Sequence, residues 1–216
     1  MLNFSNISIV IRTVSSQRMS LLKRLQDQLH PLDFVVSDRS DRLNTYADDW
    51  FNAMRKGQDP TKKWLIHLED DAFLAPNWKE EVLKLLSETP KQIKVASFYS
   101  GKRMKPELQN LSIPHWEYLR GSSFFMHQCT AWRMEYIDYF INGIKSQWSN
   151  HPEYRKIDFI DQALMDFLVQ EKQKFARVFP SLVQHTGRTS LIGHANSKSR
   201  QSSSFTYFYG DSNAIY

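Results

Sequence analysis

The chain has 216 residues, 41% of them hydrophobic and 24% charged, a globular composition suited to one domain with a single core. No stretch is apolar enough to span a bilayer, the N-terminus lacks the basic start and small-residue cleavage site of a signal peptide, and the one cysteine, Cys129, excludes an internal disulfide framework and a cysteine-cluster zinc site. A cytoplasmic protein is therefore expected, and the formal net charge of +5 with a pI near 9.2 favours polyanionic partners, either nucleic acid or phosphate-bearing substrates.

Taken in order, Ile7, Ile9 and Ile11 predict a first strand that ends at Arg12-Thr13. Leu21, Leu22, Leu25 and Leu29 have helical spacing and stop before Pro31. Phe34 to Val36 is a second strand, and Leu43, Ala47, Trp50, Phe51 and Met54 mark one face of a second helix closed by Gly57 and Pro60. Trp64 to Leu68 is a buried strand. Trp78, Val82, Leu85 and Leu86 define a third helix, with Asn77 and Glu80 placed as a variant capping box at its start. Ile93 to Phe98 is a further strand, whereas 100–117 has no clear period and is expected to be a mobile or acceptor-facing loop. Gly121-Ser122-Ser123 leads into a strand over Phe124 to Trp132. Helical spacing returns at Ile137, Phe140, Ile141 and Ile144, and again at Ile160, Leu164, Phe167 and Leu168. Strands at Ala176 to Phe179 and Leu182 to Gln184 run up to His185, and beyond Gly187 the chain is rich in Ser, Arg and Lys. This rhythm predicts an α/β fold with a mostly parallel central sheet flanked by helices.

Glu69-Asp70-Asp71 follows the third strand directly, and open α/β sheets collect ligands at the carboxyl ends of their strands. Adjacent carboxylates repel one another, so this grouping expects a positive partner, most simply a divalent cation with oxygen ligands. The bland alternative is a solvated turn or a helix cap. Since Asn77 offers the next helix its own start, the triplet is not needed for capping. Cys129 and His67 read as packing residues.

Four stretches together resemble the GT-A superfamily of nucleotide-sugar glycosyltransferases: the N-terminal strand, Leu68 to Asp71 in the position of the acidic metal motif, Gly121-Ser122-Ser123 before a mid-chain strand, and Pro180 to Gly187 near the end. The triplet begins with Glu69 where the usual one begins with Asp, a form that also occurs among relatives. The resemblance implies one Rossmann-like GT-A domain over 1–216, with a nucleotide-binding half over about 1–100, an acceptor and catalytic half over about 101–187, and a C-terminal tail or lid over 188–216. It implies Mn2+ or Mg2+ at a site of Asp71, Glu69 and His185, with Asp71 the direct ligand and Glu69 or Asp70 touching the ribose or a metal-bound water. Arg12, Thr13, Asp38 and Asp70 would bind the nucleotide sugar, and Arg188, Lys198 and Arg200 would meet the leaving diphosphate. Asp161, preferred over Asp158, would be the base that takes the acceptor proton if the reaction inverts, and would only position the acceptor if it retains configuration. Trp116, Tyr118, Gly121 and Ser122 would face the acceptor, and Trp116, Tyr118 and Trp148 are read as aromatic loop residues.

The implied donor is a nucleotide-diphosphate sugar, with UDP-sugars first. For the acceptor, the basic balance and aromatic residues suit double-stranded DNA carrying hydroxymethylated bases, as in small phage-encoded DNA-modifying transferases. A glycan such as a lipooligosaccharide core is the alternative. A nucleotidyltransferase would show glycine in the loop after the first strand, and Arg12 to Ser16 has none. A non-catalytic nucleic-acid-binding domain has no recognisable motif here.

Overall fold

A computed structural model describes residues 2–39, 46–101, 113–124, 128–151, 160–185, 202 and 205. The strands are β1 (Ile7–Thr13), β2 (Val35–Asp38), β3 (Trp64–Glu69), β4 (Ala72–Leu74), β5 (Val95–Ser97), β6 (His115–Arg120), β7 (Cys129–Arg133), β8 (Lys174–Phe179) and β9 (Val183–His185). Among the described residues the α-helices are α1 (Ser15–Leu29), α2 (Tyr46–Lys56), α3 (Trp78–Glu88), α4 (Ile137–Asn150) and α5 (Ile160–Gln170).

Seven strands form one sheet in the order β2-β1-β3-β7-β5-β8-β6, and β4 pairs with β9 in a separate two-stranded sheet. In the main sheet β1, β2, β3, β5 and β8 run one way, while β7 and β6 run against them. The expected mostly parallel sheet is present, with a reversed strand inserted beside β3. Side chains alternate across a strand, so Ile7, Ile9 and Ile11 of β1 pack on α1 and α3, while Val10 packs on the opposite side with residues of α2, α4 and α5. Burial of β3 along its whole length follows from helices on both faces.

Three local expectations differ from the structure. His115–Arg120 is a strand, not loop, and because it lies at the sheet edge its side chains are mostly part-exposed and show no apolar alternation. Gly121–Ser123 is a 3-10 turn, and the strand read from Phe124 begins only at Cys129. Asn77 occupies the N-cap of α3, but its side chain makes no capping bond, so the capping box does not form. No helix among the described residues is long and apolar enough to cross a membrane.

Candidate active site at the carboxyl end of β3

Parallel pairing sets the site. In register, Thr13 of β1 stands beside Asp38 of β2, and Arg12 stands beside Glu69 of β3, so three strand ends reach one edge of the sheet. Asp70 and Asp71 form the tight turn between β3 and β4, with the Asp70 amide donating to the Arg12 carbonyl at 3.1 Å. β4 then pairs antiparallel with β9, placing Ala72 opposite His185. Residues more than a hundred positions apart thus meet at the end of β3.

All three carboxylates are buried, at 8%, 2% and 8% exposure for Glu69, Asp70 and Asp71, so each needs compensation. Arg12 grips Glu69 at two points, Nε to Oε2 at 3.1 Å and Nη2 to Oε1 at 2.7 Å. His67, buried against Trp50, lies 3.5 Å from the same Glu69 Oε1 through Nε2. Asp70 accepts from Thr13 Oγ1 at 2.7 Å and from Arg18 Nη1 at 2.7 Å. The same Arg18 Nη1 reaches Asp71 Oδ2 at 3.1 Å, and His185 Nε2 faces that oxygen at 3.4 Å.

Three carboxylates thus face two arginines, with two imidazoles alongside. The strain shows in Asp70: burial first, then repulsion from Asp71, pushes its pKa up to about 6 against the pull of Arg18 and Thr13. Burial works against the charge on Arg18, but Asp71 and Asp70 outweigh it and hold its pKa above the ordinary value.

The donor chemistry fits a hard divalent cation. Asp71 Oδ2 and His185 Nε2 offer one carboxylate oxygen and one imidazole nitrogen at a common point, in a cluster where carboxylates outnumber arginines. Among the described residues no group of three or more His, Cys, Asp or Glu side chains is placed to hold an ion. A Mg2+-type ion commonly uses one or two protein carboxylates and takes its other ligands from water and phosphate.

Several other expected residues have a structural partner. Asp38 accepts from the Ser15 amide at 3.0 Å and from the Ser15 hydroxyl, satisfying an orphan donor at the start of α1. Trp116 donates from Nε1 to the Leu85 carbonyl at 2.8 Å and packs on Phe98, while Tyr118, next on that face of β6, is 46% exposed. Gly121 is a packing glycine: an added Cβ would come within 2.6 Å of Leu168 Cβ on α5. Ser122 is exposed, and Trp148 is buried within α4, not in a loop. Asp161 sits half-buried in the first turn of α5. Asp158, Arg188, Lys198 and Arg200 lie outside the described residues. Sequence reading missed Arg18, whose partners are more than fifty residues away, and missed β4, whose three residues are too few to show a period.

No family model matches the chain, and no curated protein does so. Among solved structures, it is similar to a glycosyltransferase involved in glycosylation of the major capsid of PBCV-1, with TM-score 0.51 and 11% identity over 77% of this chain and 78% of that one. It also matches a Drosophila β-1,4-galactosyltransferase 7 solved with manganese, UDP-Gal and xylobiose, at TM-score 0.38 and 13% identity over 61% of this chain and 51% of that one. At such identities the first likeness speaks for the fold alone and the second adds nothing to it, and the architecture is that of a GT-A-like α/β domain.

Proposed function

We propose that the chain is a metal-dependent glycosyltransferase that moves a sugar from a nucleotide-diphosphate sugar, UDP-sugars first, to an acceptor hydroxyl. The observation that carries this reading is Asp71 Oδ2 facing His185 Nε2 at 3.4 Å, at the carboxyl edge of a GT-A-like sheet. Asp71 and His185 would hold Mn2+ or Mg2+, with Glu69 or Asp70 toward the ribose or a metal-bound water. When bound, the ion supplies positive charge that stabilises the leaving diphosphate.

In the transfer, the bond between the anomeric carbon and the phosphate oxygen breaks and its electron pair leaves with the diphosphate. The acceptor oxygen forms the new glycosidic bond. In an inverting reaction Asp161, or Asp158 beside it, takes the acceptor proton. Arg12 and Thr13 hold the Glu69 and Asp70 carboxylates in place, so they act on the nucleotide sugar through those groups. Arg188, Lys198 and Arg200 would add charge beside the diphosphate, and 188–216 would close over the donor to exclude water.

For the acceptor, the net charge of +5 supports a hydroxymethylated base in phage DNA, with Trp116 and Tyr118 of β6 on the acceptor side, whereas Gly121 and Ser122 follow Arg120, which pairs with Lys174 at the amino end of β8, away from Asp71. A lipooligosaccharide-type glycan is the alternative.

The test is release of nucleoside diphosphate by the purified protein with Mn2+ and a panel of nucleotide sugars, with and without DNA containing hydroxymethylcytosine. Release that needs the metal and rises with the DNA is expected. Metal-dependent release indifferent to DNA would move the acceptor to glycans, and no release from any donor would overturn the assignment.

A further inference from the structure

Arg18 stands where α1 breaks. With φ −133° and ψ 24° it interrupts the helix in its first turn, and the amides of both Gln17 and Arg18 donate to the Val14 carbonyl, at 2.9 and 3.0 Å. The break aims the side chain at the Asp70-Asp71 turn. Both of its contacts come from one nitrogen, Nη1, at 2.7 Å to Asp70 Oδ1 and 3.1 Å to Asp71 Oδ2. The oxygen it takes from Asp71 is the one that His185 Nε2 faces at 3.4 Å.

A divalent cation shared by Asp71 and His185 would use that same oxygen. A guanidinium and a divalent ion competing for one carboxylate oxygen repel each other over a few ångströms in a buried setting, where charges are poorly screened. The Arg18 side chain is 14% exposed, whereas the Arg12 side chain is 4% exposed and bound at two points, so Arg18 is the arginine with a route out.

We propose that Arg18 is a placeholder cation: it pairs with Asp70 and Asp71 while no metal is bound, gives up Asp71 when a divalent cation enters, and then pairs with diphosphate oxygens arriving beside that cation. The inference rests on the metal-dependent reading above. It makes the site self-compensating, since the carboxylates always have a positive partner. It also couples the two ligands, because the anion offers the displaced guanidinium a new partner.

The first measurement is Mn2+ binding to the full chain without nucleotide, followed by loss of the free-ion EPR signal, for wild type, Arg18→Met and Arg18→Lys. Removing a charge-assisted competitor should tighten Mn2+ binding by about tenfold or more in Arg18→Met. Arg18→Lys should fall between it and wild type. The second is retention of labelled pyrophosphate in equilibrium dialysis at saturating free Mn2+, which should weaken about tenfold in Arg18→Met.

Mn2+ affinity equal to or weaker than wild type in Arg18→Met overturns the placeholder while leaving the metal site standing. Should Arg18→Met not fold, the Arg18→Lys comparison decides in the same direction. Equal pyrophosphate retention by variant and wild type, or none by either, overturns the transfer to diphosphate. If none of the three proteins binds Mn2+, the metal-dependent reading falls together with the inference.

Discussion

The two arginines at the end of β3 make similar salt bridges with different consequences. Arg12 is a strand residue in register with Glu69, holds it through two nitrogens, and is almost fully enclosed. Arg18 stands on a helix break, spreads one nitrogen over two carboxylates, and shares its Asp71 oxygen with an imidazole. A closed, two-point pair locks strands together. The shared, part-exposed contact leaves its carboxylates able to exchange one cation for another. Three adjacent acidic residues therefore do different work: Glu69 fastens β3 to β1, Asp70 is anchored to β1 through Thr13, and Asp71 is turned toward His185.

The largest effect should come from breaking the closed pair. Arg12→Met leaves Glu69 buried without its main partner, which should cost about 3–5 kcal/mol of folding stability, with Mn2+ returning no more than it adds to wild type. Arg18→Met should also be destabilised without metal, but Mn2+ should restore its thermal midpoint toward wild type, as a ligand that binds only the folded state does. Urea unfolding and thermal melts of both variants, with chelator and with Mn2+, test the contrast. Equal recovery in the two variants would erase the distinction between them.

Next in size is Asp71→Asn, which keeps the shape of the side chain and removes the charge. Loss of ion binding should lower transfer about a thousandfold, since the ion's charge stabilisation is worth several kcal/mol. Folding stability should hold or rise, because the Asn no longer repels Asp70, and the Asp70 pKa should fall for the same reason. Unfolding curves beside single-turnover assays separate the two readouts. A variant as unstable as Arg12→Met would place Asp71 among the structural carboxylates.

Much of this was legible in the chain. Period-two spacing identified β1, an apolar-rich run identified β3, and helical spacing identified α1, α3 and α4, because their apolar residues face a core on one or both sides. The acidic triplet and His185 were visible as motifs, and β9 brings them together. What stayed hidden was set by distant contacts. The reversed strand β7 beside β3 reads like any buried strand, since direction leaves no mark on side-chain period. β6 looks like a loop because an edge strand shows solvent a polar face. Arg18 resembles a solvated helix residue until Asp70 and Asp71 fold against it. Trp116 and Gly121, grouped with the acceptor side by sequence, also have packing roles against Leu85 and Leu168 that no local pattern announces.

The smallest effect is the most direct probe of how Asp70 is held. Thr13→Val keeps the size of the side chain and removes the hydroxyl that donates to Asp70 Oδ2 at 2.7 Å. In the wild type the native Asp70 pKa, about 6, lies above the ordinary 3.8, so the folded state binds the proton more tightly than the unfolded one. Its contribution to stability is therefore greatest below the ordinary pKa and is lost as pH rises toward about 6. The Thr13 bond favours the ionised form, so removing it should raise the native pKa further, extend the loss to higher pH, and cost about 1 kcal/mol at neutral pH. Urea unfolding of both proteins across this range in chelator, with the Asp70 carboxyl carbon followed by NMR, reads the shift. A titration that stays in place or moves down would mean that Arg18 alone fixes Asp70, and the carboxylate would then belong with Asp71 on the exchangeable side of the site.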